Sequence, residues 1–192
     1  LPLKKDIRTL AVIGPNADNV YNMLGDYTAP QADGTVVTVL DGIRQKVSKE
    51  TRVLYAKGCA VRDSSRTGFK DAIETARNAD AVVMVMGGSS ARDFSSEYEE
   101  TGAAKVTINQ ISDMESGEGY DRATLHLMGR QLELLEEISR LGKPVVLVLI
   151  KGRPLLMEGA IQEAEAIVDA WYPGMQGGNA VADVLFGDYN PA

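Results

Sequence analysis

Residues 81–86 read Ala-Val-Val-Met-Val-Met, without a single polar side chain, and residues 144–150 read Pro-Val-Val-Leu-Val-Leu-Ile. Neither stretch alternates between apolar and polar positions. A strand that is apolar at every position is typical of a parallel sheet covered by helices on both faces. We therefore take these two stretches as the central strands of such a sheet.

Shorter patterns on either side of these stretches predict the rest of the fold. Further strands are predicted at residues 9–13, 51–55 and 166–171. Apolar residues at helical spacing predict helices at residues 39–47, 68–78, 130–141 and 179–186. Alternating strands and helices predict an α/β fold, a three-layer α/β/α sandwich with a mostly parallel sheet of about five or six strands. We expect residues 1–192 to form one domain.

The composition excludes several classes of function. The net charge is −7 and the basic residues are scattered, which argues against a nucleic-acid surface. No apolar run approaches the length of a membrane-spanning helix, so we expect no membrane partner. Cys59 is the only cysteine, which excludes a disulfide within the chain, and we expect it to be a small buried residue.

The segment at residues 87–124 is the most distinctive part of the sequence. It follows a predicted central strand, and ligands of open α/β sheets bind at the carboxyl ends of strands. A connection this long is usually functional or disordered. Near its end Glu118 lies between Gly117 and Gly119, which allow the backbone to turn and to approach a ligand closely. Glu118 is therefore our candidate catalytic residue.

Other polar residues of this segment suggest other chemistry. Asp113, Glu115 and Asp121 could work with Glu118 in acid/base catalysis, but their spacing matches no calcium loop. The single histidine, His126, cannot complete a zinc site or a serine triad, and we expect it to be a packed or capping side chain. Asp121 and Arg122 are predicted to form a local ion pair or to anchor the loop. We expect neither a metal nor a cofactor.

Two glycine-containing loops and one aromatic pair have simpler interpretations. The loops at residues 14–17 and 174–178 lack the spacing of a dinucleotide-binding or phosphate-binding loop, so we expect them to serve tight packing. Trp171 and Tyr172, at the end of a strand, are predicted to belong to the core. Tyr27, in the first long loop, is a better candidate for contact with a ligand, because sugars stack on exposed aromatic rings.

Several motifs, in this order and spacing, resemble the second domain of glycoside hydrolase family 3, which contains β-glucosidases and β-xylosidases. The resemblance covers residues 7–192, nearly the whole chain. The matching motifs are Ala11-Val12-Ile13-Gly14-Pro15-Asn16-Ala17, Gly25-Asp26-Tyr27, Ser116-Gly117-Glu118-Gly119-Tyr120-Asp121-Arg122, Gly152-Arg153-Pro154, Trp171-Tyr172-Pro173-Gly174 and Ala182-Asp183-Val184-Leu185-Phe186-Gly187. One departure is Leu127-Met128-Gly129, where the family often has Leu-Pro-Gly.

The resemblance implies an exo-acting enzyme that hydrolyses terminal β-linked glucose or xylose from oligosaccharides or aryl glycosides, with retention. An N-terminal (β/α)8 barrel domain, which needs roughly 250 residues, supplies the nucleophile in this family. Glu118 matches the general acid/base, and we expect Tyr27, Tyr120 and Arg92 to contact the substrate. The chain alone is expected to be inactive, and a periplasmic or secreted location is favoured. The loops of Tyr27 and Tyr120 and the loop after residue 150 should meet at the interface with the barrel.

Two other functions stay open at this level. One is a flavodoxin-like ligand-binding module, which would need phosphate-binding glycines or an acidic cluster at the strand ends. The other is a non-catalytic carbohydrate-binding domain.

Overall fold

A parallel sheet forms the centre of the fold in the computed structural model, which describes residues 1–91, 100 and 113–191. The described residues form five strands in the spatial order β2-β1-β3-β4-β5. Their bounds are β1 Thr9–Ile13, β2 Arg52–Ala56, β3 Ala81–Gly87, β4 Val145–Ile150 and β5 Ala166–Trp171. All five predicted strands are thus confirmed, and every described pairing is parallel.

Helices cover both faces of the sheet. They are α1 Val39–Lys46, α2 Phe69–Arg77, α3 Gln131–Ser139, α4 Ala160–Glu163 and α5 Gly177–Leu185, with a 3₁₀ turn at Tyr21–Met23. The four predicted helices are confirmed. Neither α4 nor the 3₁₀ turn was predicted, because a single turn is too short to show a helical period.

Two apolar clusters, one on each face, make up the core. Helices α1 and α5 pack on one face and helices α2 and α3 on the other. Alternate side chains of the two central strands enter opposite clusters, so every residue of β3 and β4 is buried. Edge strand β5 is different, because only every second side chain is covered. The predicted three-layer sandwich is confirmed.

Glycines allow the helices on one face to approach each other closely. A Cβ on Gly42 of α1 would lie 2.1 Å from the carbonyl oxygen of Gly178 in α5, and one on Gly178 would lie 1.9 Å from that of Thr38. This contact explains why α5 begins two residues before its predicted start, at glycines that are poor helix formers. The loop at residues 174–178 therefore serves tight packing, as predicted.

The strand order places a topological switch point between β1 and β3. The chain leaves β1 towards β2 on one side and later leaves β3 towards β4 on the other. Loops that diverge in this way open a crevice at the carboxyl ends of the strands, and ligands of α/β folds bind there. We call this end of the sheet the carboxyl edge. No helix in the described ranges is long and apolar enough to cross a membrane.

Candidate active site

The loop that carries Glu118 lies at the carboxyl edge, against the loop that follows β1. The hydroxyl of Tyr27 donates a hydrogen bond to Oε2 of Glu118 at 2.5 Å. The carboxylate of Asp26 accepts from the backbone N–H of Tyr27 at 2.8 Å and from that of Glu118 at 3.3 Å. Two of the residues expected at the site, Glu118 and Tyr27, are therefore in direct contact across the switch point.

The glycines on either side of Glu118 have different roles. Gly117 has φ +111°, and a Cβ there would lie 2.8 Å from both Asp26 Oδ2 and Met114 Cε. Gly117 therefore allows close contact with the neighbouring loop. Gly119 has φ +79° with no atom within 4 Å of a Cβ position, so its glycine serves the left-handed backbone alone. Between them Glu118 is exposed at the tip of the loop.

Two of the other carboxylates of the loop, Asp113 and Glu115, have structural contacts. Asp113 accepts hydrogen bonds from the backbone N–H groups of Val61 and Arg62 at 3.1 and 3.2 Å. Asp121 is exposed. Glu115 is 2 % exposed. Its Oε1 packs directly against Gly88, because a Cβ added to Gly88 would lie only 1.9 Å from that oxygen. Glu118 is thus the carboxylate of this group that is both exposed and held by a neighbouring loop.

Glu115 is the centre of an ion pair cluster beneath the loop. Its Oε2 accepts from Arg122 Nη1 at 2.6 Å and lies 3.8 Å from Arg153 Nε. Arg122 also donates to the carbonyl oxygen of His126, and Arg153 donates to that of Tyr120 at 2.9 Å. Of the two alternatives for Asp121 and Arg122, the ion pair is therefore wrong, and Arg122 anchors the loop through Glu115 and His126. The buried Glu115 satisfies the guanidinium better than an exposed carboxylate.

A buried polar network under the site was not predicted. Asn16, with 0 % exposure, donates through Nδ2 to the carbonyl oxygens of Gly88 at 3.0 Å and Ile150 at 3.2 Å. Its Oδ1 accepts from Asn22 Nδ2 at 2.7 Å, and Asn22 Oδ1 accepts from Ser89 Oγ at 2.6 Å. The network therefore joins the carboxyl ends of β1, β3 and β4.

The same network reaches the Glu118 loop through one carbonyl group. The backbone oxygen of Ser89 accepts from the N–H groups of Glu115 at 2.8 Å and Ser116 at 3.2 Å. The loop that carries Glu118 is thus fixed to the end of β3 just before its tip. From the sequence, residues 14–17 were expected to serve tight packing alone. The tight packing is confirmed, because a Cβ on Gly14 would lie 2.1 Å from the carbonyl oxygen of Val85.

Tyr172 connects the loops at the carboxyl edge. Its hydroxyl forms a hydrogen bond with Ser116 Oγ at 3.0 Å. Its ring packs on two glycines, since a Cβ on Gly25 would lie 2.7 Å from Cδ2 and one on Gly152 would lie 2.4 Å from the hydroxyl oxygen. Tyr172 also packs against one core cluster, in agreement with the prediction. It adds a polar contact that the sequence did not indicate.

Trp171 and His126 differ from their predictions. Trp171 is 46 % exposed, because it ends edge strand β5 on the uncovered side and adopts φ +53°. Its ring lies 3.7 Å from Nζ of the buried Lys151, which also pairs with Asp169 at 2.9 Å. The prediction that Trp171 belongs to the core is therefore wrong. His126 is exposed and not packed, because its segment lies on the surface beside Leu125.

The remaining predicted residues have varied positions. Tyr120 is half-buried next to Glu118, and its backbone is fixed by Arg153. The loops of Tyr27 and Tyr120 and the loop after β4 therefore meet, as predicted. Arg92 lies outside the described residues.

Cys59 is buried as predicted, and burial raises the pKa of its thiol to about 12. Among residues 1–91, 100 and 113–191 no three potential metal ligands gather.

The chain is similar to known proteins over its whole length. The chain is 41 % identical to a β-xylosidase of Formosa agariphila over 198 residues, and 34 % identical to a periplasmic β-glucosidase of Salmonella typhimurium over 212 residues. Both matches cover 100 % of the chain but only 24 % and 25 % of those proteins. The chain therefore spans about a quarter of the length of these relatives.

Solved structures show the same fold. A glycoside hydrolase family 3 exo-β-xylosidase, bound to a xylobiose aziridine probe, matches with TM-score 0.79 and 30 % identity. A β-glucosidase from Listeria innocua, bound to isofagomine, matches with TM-score 0.75 and 26 % identity. These matches cover 100 % of the chain and 22 % and 23 % of the two structures. A family profile matches residues 1–192, and the chain therefore belongs to the glycosyl hydrolase family 3 C-terminal domain family.

Proposed function

We propose that this domain supplies the general acid/base, Glu118, to a retaining exo-β-glycosidase that removes terminal β-linked glucose or xylose. One observation carries the assignment to Glu118. Of the four neighbouring carboxylates, Glu118 is exposed at the tip of a glycine-flanked loop at the switch point and is held by the loop after β1. Glu115 is too deeply buried to reach a substrate.

The proposed reaction needs two carboxyl groups about 5–5.5 Å apart. In the first step a nucleophilic carboxylate attacks the anomeric carbon while protonated Glu118 gives its proton to the glycosidic oxygen, which leaves as an alcohol. The product is a glycosyl-enzyme ester and an ionised Glu118. In the second step Glu118 takes a proton from water as the water oxygen attacks the same carbon, and the nucleophile is released.

A second domain of the full-length protein is proposed to provide the nucleophile and most sugar contacts. The family resemblance points to an N-terminal (β/α)8 barrel. Large apolar side chains exposed at the carboxyl edge are consistent with a docking face for it: Tyr27, Leu125, Leu156, Trp171 and Met175. Without this partner one carboxylate cannot complete the mechanism, so we expect the isolated chain to be inactive.

Substrate contacts from this domain are proposed for Tyr27, Tyr120 and Arg92. Tyr27 is 75 % exposed beside Glu118, so its ring can meet the leaving group on the far side of the cleaved bond. Tyr120 follows the acid/base by two positions and is partly exposed. The choice between glucose and xylose is assigned to the barrel, because it surrounds the sugar whose bond is cleaved.

The test is substitution of Glu118→Ala in the full-length enzyme. Hydrolysis of phenyl glycosides, which need protonation, should fall roughly 10²–10⁴-fold. Hydrolysis of 2,4-dinitrophenyl glycosides, whose leaving group needs no proton, should retain its glycosylation rate, and azide should restore turnover by attacking the intermediate without base assistance.

Asp121→Ala is the matched control, because Asp121 is an exposed carboxylate three positions away. Glu115→Ala is unsuitable, since its removal would leave buried arginines unpaired. Equal losses for both leaving groups, with no azide rescue, would show that Glu118 is not the acid/base.

A further inference from the structure

The segment Asp26-Tyr27 contacts the Glu118 loop through both its backbone and its side chains. Asp26 Oδ2 accepts from the N–H of Glu118, and the Tyr27 hydroxyl donates to the Glu118 carboxylate. A Cβ on Gly117 would lie 2.8 Å from Asp26 Oδ2, so the two loops are in van der Waals contact as well. The backbone and the carboxylate of Glu118 are thus held by adjacent residues of one segment.

Tyr27 is held in an unusual conformation. Its φ of +58° is in the left-handed region, which is uncommon for a residue other than glycine and is found mainly where surrounding structure imposes it. Here Asp26 Oδ1 accepts from the N–H of Tyr27, and Thr28 Oγ1 donates to the carbonyl oxygen of Gly25 at 3.2 Å. Gly25 itself has φ +83° and lies under the ring of Tyr172. This segment therefore directs an exposed tyrosine towards the Glu118 loop.

A phenol hydroxyl suits a carboxyl group that changes its protonation state. It can donate a hydrogen bond to a carboxylate, and it can donate the same bond to the unprotonated oxygen of a carboxylic acid, which leaves the acid's own proton free for the substrate. Contact with Glu118 can therefore persist through both steps of a retaining mechanism, in which the residue is first an acid and then a base. The Glu115 carboxylate, by contrast, is buried against two guanidinium groups and is closed to a substrate.

We propose that Tyr27 is a positioning residue whose hydroxyl orients the Glu118 carboxyl group for proton transfer. This inference rests on the proposed function. It is separate from any contact of the Tyr27 ring with the sugar, because the group that donates to Glu118 is the hydroxyl. The matched substitution is Tyr27→Phe, which keeps the ring and removes the hydroxyl.

The experiment compares the full-length enzyme with its Tyr27→Phe, Glu118→Ala and double variants on phenyl and dinitrophenyl glycosides. For Tyr27→Phe, kcat on the phenyl glycoside should fall about tenfold, because the lost hydrogen bond strengthens as Glu118 gives up its proton and becomes charged, with KM within about twofold. The glycosylation rate with the dinitrophenyl glycoside should change less than about twofold, because that leaving group needs no proton. In the Glu118→Ala background, Tyr27→Phe should have no further effect on the azide-rescued rate, because the two residues act as one unit.

Tyr189→Phe is the control, since Tyr189 is exposed and follows α5 at the opposite end of the sheet. Unchanged kcat for Tyr27→Phe on the phenyl glycoside, a rise confined to KM, or an equal loss in the Glu118→Ala background would each overturn the positioning role. A different result would contradict the proposed function itself. In that result Glu118→Ala slows phenyl and dinitrophenyl glycosides equally, and azide does not restore turnover. A thermal melt of each variant distinguishes these results from misfolding.

Discussion

Asn16 allows the structure to be tested through a single buried side chain. Asn16→Ala removes three hydrogen bonds, two to the carbonyl oxygens of Gly88 and Ile150 and one from Asn22. Ile150 keeps another donor, the N–H of Gly88. The carbonyl oxygen of Gly88 and the side-chain amide of Asn22 are therefore the two buried groups that lose the Asn16 side chain as a hydrogen-bond partner.

The expected loss is large relative to the stability of a domain. The two stranded polar groups cost about 1–2 kcal/mol each and the bond to Ile150 about 1 kcal/mol, so the free energy of unfolding should fall by about 3–5 kcal/mol. A domain of this size has roughly 5–15 kcal/mol in total. With an m-value of about 2–3 kcal/mol/M, the urea midpoint should fall by about 1–2.5 M.

The assay is urea unfolding of the 192-residue chain, followed by far-UV circular dichroism. Asn16→Asp distinguishes hydrogen bonding from packing, because it keeps the shape of the side chain but replaces its donor group with an acceptor. It should destabilise at least as much as Asn16→Ala. Asn190→Ala, at an exposed asparagine after α5, should stay within about 0.5 kcal/mol. A loss below about 1 kcal/mol for Asn16→Ala, at unchanged m-value, would refute the network's role.

Three further predictions concern other parts of the domain. Because burial raises the Cys59 pKa to about 12, the native thiol should resist Ellman's reagent at pH 8 and react once urea unfolds the chain; rapid native labelling would contradict this. Hydrogen bonds from Lys46 and Lys5 lower the pKa of Asp188 below its ordinary 3.8, so its carboxylate stabilises the fold above that pH. Asp188→Asn should therefore lower the melting temperature at pH 7, and the difference should shrink as the pH falls below 3.8 and Asp188 of the wild-type protein takes up its proton. Gly178→Ala, whose methyl would lie 1.9 Å from a backbone oxygen of the neighbouring helix, should cost at least about 1–3 kcal/mol in urea unfolding, and wild-type stability would contradict the described helix contact.

The fold was predictable because its signals are local. Continuous apolar runs predict the central strands β3 and β4, and alternating helices predict parallel connections. Single-turn elements such as α4 gave no such signal. Helix α5 begins at Gly177, earlier than expected, because contact with α1 outweighs the poor helix propensity of glycine.

The site was less predictable, because its contacts join distant parts of the chain. The glycines around Glu118 identified the loop, but nothing near Glu115 in sequence indicates that it is buried beside Arg153. Asn16 follows Gly14-Pro15 and could equally belong to an ordinary turn. Its role depends on three strand ends that meet only after folding. Trp171 was misassigned because strand position alone does not tell which face of an edge strand is covered.

The exposed indole at the end of β5 makes the tryptophan fluorescence of the domain sensitive to what covers the carboxyl edge. Trp171 is the only tryptophan in the sequence, so intrinsic emission excited at 295 nm comes from one place at the carboxyl edge. With 46 % of the residue exposed, its fluorescence is open to quenching by iodide or acrylamide. Any domain or sugar that covers this edge would shield the ring and shift its emission to shorter wavelength. The chain thus contains its own spectroscopic reporter for binding at this edge, without an added label.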